Sequence, residues 1–442
     1  MTVAVMKTKA EQSFAEGFNE MRATLPGSAA VREAREGAAR RFEELGLPHR
    51  RIEEWKYTDL RSAVKEALPA RTGDKLAMTI ADVIVAIGPL AQIDAHRIVF
   101  VNGAHRPDLS SRGSLAGLEV ESLASALEDA QATESALSGF AGQESNAVLA
   151  LNTAYMSDGA VVRVHAEAEL EKPLLLVNIR AGAQPCFAAV RNVLEVGAKA
   201  SARIVEAFVS LPGAASDGQI NTATQISVGD DARLTHVKIA ADDGSAVTHL
   251  ANWIARLGKA CEYRGFQLTQ GINLARNQIQ VVFDGEDAKL DLSGVFLGRG
   301  GDHVDTTLVV DHAVPGCESR ELFKAVLDDH SRGIFQGKII VQSVAQKTDG
   351  KQMSQALLLS PDAEFDSKPE LEIFADDVVC GHGATCAELD KDLLFYCQSR
   401  GIPTDVARVL LIESFIGEAV ALVEDEAINE ALMGFARGWL SK

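Results

Sequence analysis

The sequence predicts a mainly β protein whose strands stack as a flattened β-helix between helical terminal regions. Three observations carry that expectation. From about Arg97 to Cys386 the chain runs in short Val, Ile, Leu and Phe stretches separated by Gly, Asp, Asn and Ser, with no helical stretch long enough to alternate with them as βαβ units would require. Within that region Gly-x-x-Ala/Cys recurs at Gly197–Ala200, Gly229–Ala232, Gly258–Cys261 and Gly285–Ala288, the starting glycines being 32, 29 and 27 residues apart, a spacing that marks stacked coils. Both ends of the chain switch to apolar residues at helical spacing. A sandwich with long hairpins would give the same strand pattern, so periodicity alone leaves both architectures open.

In chain order, residues 8 to 46 read as helix. Phe14 and Phe18 lie one turn apart, and after the Pro26-Gly27 break Ser28 can cap a second helix with an apolar stripe of Val31, Ala34, Ala38, Phe42 and Leu45. Gly46 and Pro48 stop it. In the repeat region a small residue after each tight turn suits stacking, because equivalent side chains then sit about 4.8 Å above one another. Beyond Leu389 the pattern is helical again. Pro403 fits a first helical position, Val409, Ile412, Ile416, Val420 and Val423 make one apolar stripe, and Leu411, Phe415 and Leu422 make another. So wide an apolar face implies contacts on two sides. Ile428, Leu432, Phe435 and Trp439 give the last helix a face that docks on a neighbour or on this chain's own core. The expected division is 1–95 helical, 96–388 β-helix core and 389–442 helical.

Composition narrows the function. A formal charge of −19 disfavours nucleic acid as a partner, and the short basic run Arg40, Arg41, Arg50 and Arg51 reads as a solvated helix face. The opening residues lack a signal-peptide core, and the longest apolar stretch, Arg408 to Val423, is broken by Glu413 and Glu418, so the expectation is a cytosolic chain without a membrane span. Six cysteines are too sparse for a disulfide framework.

Gly333-Ile-Phe-Gln-Gly337-Lys338-Ile339 lacks the glycine spacing and the hydroxyl of a phosphate loop, so no nucleotide is expected there. Asp302-His303-Val304-Asp305, Asp311-His312 and Asp328-Asp329-His330 pair carboxylates with imidazoles, yet no nucleophile accompanies them, and acidic turns explain all three. The chemically suggestive cluster is Cys380-Gly-His382-Gly-Ala-Thr-Cys386, since thiolate and imidazole bind iron, zinc and copper well. On an extended strand Cys380, His382 and Cys386 share a face, and the glycines beside His382 let another backbone approach. A self-contained zinc site would want four ligands. A metal or redox sensor built on these three residues stays open, as does, from architecture alone, a β-helix enzyme acting on carbohydrate.

Taken together, several segments resemble the SufB/SufD family of iron–sulfur cluster assembly scaffolds. They are His303-Val-Asp-Thr-Thr-Leu-Val-Val-Asp-His312, Ser331-Arg-Gly-Ile-Phe-Gln-Gly-Lys338, Ala345-Gln-Lys-Thr-Asp349, Ser367-Lys-Pro369, Cys380-Gly-His-Gly-Ala-Thr385 and Ser399-Arg-Gly-Ile402. Arg51-Ile-Glu-Glu-Trp-Lys-Tyr-Thr58 and the Cys-x-His form of the cluster favour the SufD branch. The resemblance implies a right-handed parallel β-helix flanked by α-helical regions, and a non-catalytic scaffold that pairs with SufB. It further implies docking of the ATPase SufC on the C-terminal helices, with Val409, Ile412, Ile416 and Val420 as the expected contact residues and no nucleotide bound by this chain. His382, with Cys380 as an auxiliary, is the expected ligand of a transient cluster or iron at the SufB interface. A homodimer of the isolated chain, and the roles of Cys386 and Cys397, are left open.

Overall fold

The computed structural model describes residues 6–71, 76–113, 115–129, 137, 139–140, 142–242 and 246–441. Helix α1 (Lys9–Met21) starts at a capping box in which Thr8 and Glu11 satisfy each other's backbone N–H groups. Helix α2 (Ala29–Leu45) is capped by Ser28 and ends at Gly46, whose φ of 69° is left-handed. The expected stripe on α2 holds at Val31 and Phe42, but Leu45 is exposed, and a buried Arg35 joins the stripe by donating to the carbonyls of Pro26, Ala154 and Met156. Short helices α3 (Leu60–Ala63) and α4 (Ile80–Ile87) complete the N-terminal region.

The β region starts with β1 (His96–Val101), β2 (Ala104–His105) and β3 (Leu118–Ser122), then α5 (Leu123–Ala126) and α6 (Ala147–Tyr155). These two helices correct the expectation of an uninterrupted strand region: Asn146 caps the Ala- and Leu-rich run of α6, which is buried along most of its length between α2 and the sheet. Strands β4 (Ala160–Val164), β5 (Leu174–Arg180), β6 (Phe187–Val196), β7 (Ser201–Ser210), β8 (Asp217–Val228) and β9 (Arg233–Ala241) follow. Next come β10 (Ala246–Leu257), β11 (Glu262–Gln270), β12 (Leu274–Phe283), β13 (Lys289–Gly298) and β14 (His303–His312). The last are β15 (Glu318–Leu327), β16 (Arg332–Val341), β17 (Asp349–Leu358), β18 (Glu364–Ile373) and β19 (Val379–Ala387).

From β4 onward, consecutive strands alternate between two sheets and each pairs in parallel with the strand two places along. This is a parallel β-helix with one odd-numbered and one even-numbered wall. Its register reproduces the sequence period: Ser201, Arg233, Glu262 and Lys289 are partners on β7, β9, β11 and β13, at steps of 32, 29 and 27 residues. Each Gly-x-x-Ala/Cys unit is the corner before an odd strand, and Lys199, Asp231, Ala260 and Asp287 all adopt the left-handed conformation at its third position. The glycine is required by contact. A Cβ on Gly285 would lie 2.0 Å from the Lys259 backbone nitrogen of the coil before it. The small residue behind it points into the lumen, so Ala200, Ala232, Cys261, Ala288 and Cys317 form one buried ladder. Burial pushes the Cys261 and Cys317 thiols up to about 12 and about 11.

Helices α7 (Lys391–Ser399), α8 (Thr404–Val420) and α9 (Glu426–Leu440) end the chain. Pro403 is the residue before α8, one position earlier than expected. The terminal regions clothe the outer faces of the β-helix. Phe14, Phe18, Phe42, Trp55 and α6 pack on the even wall, while α4, α8 and α9 pack on the odd one. Ile428, Leu432, Phe435 and Trp439 are consumed by this intramolecular packing. No helix of the described residues is long and apolar enough to cross a membrane.

Candidate functional site

The Cys380-to-Cys386 segment folds as β19, the end strand of the odd wall, just as β18 ends the even wall. It pairs on one side only, with β17, in a register that sets Cys380 beside Gly350, His382 beside Gln352 and Cys386 beside Ala356. On β17 Gly350, Gln352, Ser354 and Ala356 are buried in the lumen, whereas Lys351 and Met353 face out. Strand alternation therefore turns Cys380, His382 and Cys386 toward the lumen side of the last coil. They would be interior residues if another coil followed. His382 and Cys386 are instead exposed, and Cys380 is half-buried against the lumen core. A groove of about 470 Å³ runs along β15, β17 and β19, and its lining includes Glu321, Gln352, Met353, Cys380 and His382.

The spacing decides what these side chains can share. At about 3.3 Å per residue, Cys380 and His382 are about 7 Å apart along the strand, and Cys380 and Cys386 about 20 Å. The three residues singled out from the sequence thus lie on one face but cannot hold one ion. No group of three or more His, Cys, Asp or Glu among the described residues is placed to do so. Burial raises the Cys380 thiol above its ordinary range, the Asp349 and Glu321 carboxylates adding to the effect. Its proton must be displaced before it binds a metal. Burial likewise raises Cys386.

The other carboxylate–imidazole pairs have structural work. Thr58, at the end of the Arg51-to-Thr58 segment, bonds His303 Nε2 at 2.9 Å and donates to Asp305. Arg276 pairs with Asp305 at 2.5 Å beneath the Trp55 ring. Two segments that carry the family resemblance are therefore a clip and its seat. His312 is buried against Phe283 and pushed down to about 4 by desolvation, with Nε2 3.0 Å from the Ser319 hydroxyl. His330 is exposed near Asp362. Gly333 to Gly337 lie within strand β16, which leaves no loop to cradle a phosphate.

Ile412, Ile416 and Val420 are buried against the chain's own odd wall and Val409 is half-buried, because α8 turns its richest apolar stripe inward. The apolar residues left in solvent on α7 and α8 are Leu393, Phe395, Tyr396, Val406 and Leu410, Phe395 being 70% exposed. Sequence reasoning also passed over Glu321, a buried carboxylic acid in the same lumen. Its signal was a charged residue in an inward strand position, between Ser319 and Phe323.

Comparison with known proteins identifies the family. The model of the SUF system FeS cluster assembly SufBD core domain matches residues 179–415, and that of the SufBD protein N-terminal region matches residues 8–176. The chain is 32% identical over 398 residues to an iron–sulfur cluster assembly SufBD family protein of Synechocystis, covering 87% of this chain and 85% of that one. It is 30% identical over 400 residues to the iron–sulfur cluster assembly protein SufD of Escherichia coli, covering 88% of each. With SufD of Bacillus subtilis it shares 27% over 287 residues, 64% of each chain.

Proposed function

As the chain belongs to the SufBD family of SUF-system iron–sulfur cluster assembly proteins, we propose that it is the SufD-type subunit, a cytosolic non-catalytic scaffold that holds a nascent cluster at an interface with a SufB-type paralogue. The observation that carries this reading is the uncapped last coil, which presents His382 and Cys380 from lumen-facing positions beside two unpaired strand edges. Open edges recruit further strands. Phe374, at the corner between β18 and β19, is 63% exposed, and Val379 and Val344 beside it are exposed as well. A partner's strands seated there would cover these residues and bring its own ligands opposite His382.

The cluster is cargo. His382 and Cys380 supply at most two protein ligands from this side, so a cluster is complete only while the partner contributes the rest. Imidazole donates less electron density than thiolate, as Rieske centres show, and shared ligation lets movement of the two subunits open the site. ATP hydrolysis belongs to a SufC-type partner in this scheme, docked on Leu393, Phe395, Tyr396, Val406 and Leu410. Against the β-helix enzyme reading, the His236–Glu206 pair at 2.7 Å is fully buried, and the sensor reading is opposed by the 380-to-386 separation.

The test is iron and acid-labile sulfide in the anaerobically purified complex with SufB- and SufC-type partners, comparing wild type with His382→Ala. Loss of both from an intact complex is expected. Unchanged content would move the cluster onto the partner alone, and stoichiometric zinc in the isolated chain would restore the sensor reading.

A further inference from the structure

Beneath His382 the lumen holds three buried acceptor oxygens with no partner at normal hydrogen-bond geometry. Glu321, Gln352 and His382 are register partners on β15, β17 and β19, one above another on successive coils. Glu321 is 2% exposed and neither of its carboxylate oxygens has a hydrogen-bond partner. Gln352 is 3% exposed; its Nε2 donates to the Gly337 carbonyl at 3.3 Å while its Oε1 is unpartnered. Ser319, two residues earlier on the strand, has its hydroxyl 3.0 Å from His312 Nε2 and lies near enough to Glu321 to oppose part of the effect of burial, but it supplies no counter-charge.

Among the described residues, no cation on the neighbouring coils faces this carboxylate. The facing wall, strand β16, contributes Phe335, Gly337 and Ile339, and the coil beneath contributes Leu292 and Leu308. Arg320 and Lys351 alternate to the outside, where Arg320 pairs with Asp349 at 2.6 Å and Lys351 lies 3.7 Å from the same carboxylate. A buried carboxylate without a counter-charge is not a stable arrangement. Either a proton or a cation must occupy it, and the apolar floor leaves the uncapped end of the β-helix as the way in. In the metal-free chain the proton wins, since desolvation pushes Glu321 up to about 8.

The geometry points to a divalent-metal site at Glu321 and Gln352, two carboxylate oxygens and one amide oxygen, with water completing the shell. It deepens the proposed function, and rests on it for the identity of the natural ion: oxygen donors set below an imidazole and a thiol suit ferrous iron on its way to those ligands. Binding exchanges the Glu321 proton for the metal, the proton leaving to solvent. No electron is transferred.

The experiment titrates Mn²⁺ into the full-length isolated chain, followed by loss of the free-ion paramagnetic resonance signal, for wild type, Glu321→Gln, Gln352→Leu and His382→Ala. The expected result is about one Mn²⁺ per wild-type chain, bound at least about tenfold more weakly by Glu321→Gln and by Gln352→Leu, and unchanged in His382→Ala. The neutral isostere at 321 should melt no lower than wild type, which separates lost binding from lost folding. Wild-type chain that takes up no Mn²⁺ at millimolar concentration, or Glu321→Gln that binds as wild type does, overturns the site. Iron retained by the His382→Ala complex would remove the cluster reading and leave this one standing.

Discussion

Replacing Asp305 by alanine should loosen the attachment of the N-terminal region more than any single surface change. Arg276 and Asp305 are both fully buried and pair at 2.5 Å. The guanidinium also lies 4.5 Å from the Trp55 ring centre and donates to the Glu54 carbonyl at 2.6 Å. Burial already pulls the Arg276 pKa down, with Asp305 opposing the shift. Without Asp305 the charge stays buried and uncompensated, which costs about 3–5 kcal/mol, and losing the Thr58 hydrogen bond adds about 1 kcal/mol. The assay is urea unfolding followed by tryptophan fluorescence, with limited proteolysis of the segment around Trp55. If the penalty comes from the stranded charge, Arg276→Met combined with Asp305→Leu should recover most of it. A loss below about 1 kcal/mol for Asp305→Ala, or a double variant no more stable than the single one, would refute the reasoning.

Four further outcomes are expected. Glu321 has a native pKa of about 8 against an ordinary 4.5, so its contribution to stability is full below about pH 4.5 and is lost as pH rises through 8; with chelator present, Glu321→Gln should be the more stable at pH 9 by on the order of 4 kcal/mol. Leu410→Asp and Phe395→Asp should weaken capture of the ATPase partner with the melting temperature unchanged, whereas Ile416→Ala should lose about 2–5 kcal/mol in denaturant unfolding. Gly285→Ala must displace the backbone of the coil beneath it and should cost about 1–3 kcal/mol or more, while Gly301→Ala, with nothing within 4 Å, should unfold like wild type. Pairing through the open coil predicts that Phe374→Glu lowers affinity for the SufB-type partner, read by co-purification, without altering the far-ultraviolet spectrum.

Much of the architecture was legible because a coil repeats its constraints. The glycine spacing matched the strand register residue for residue, since each corner glycine abuts the backbone of the coil before it and each small residue after it stacks on its equivalent. Parity was legible too: Cys380, His382 and Cys386 share a face as an extended strand requires. Helix α6 was less visible, because nine mostly apolar residues read as a buried strand as readily as a buried helix until Asn146 and the packing of α2 choose between them.

What the sequence determined by itself was the set of local preferences: where corners fall, which strand residues alternate inward, where helices begin, and which segments resemble a cluster-assembly family. The tertiary structure decided which of those faces remain available. An apolar stripe does not state its partner, and here Ile412, Ile416 and Val420 are spent on the chain's own wall while Leu410 and Phe395 are left in water. An inward-facing residue is interior only if another coil covers it. His382 is exposed because β19 is the last rung, and Glu321 lacks a counter-charge because the wall opposite is apolar. Both facts depend on residues far away in sequence, through burial and through the presence or absence of a neighbouring strand.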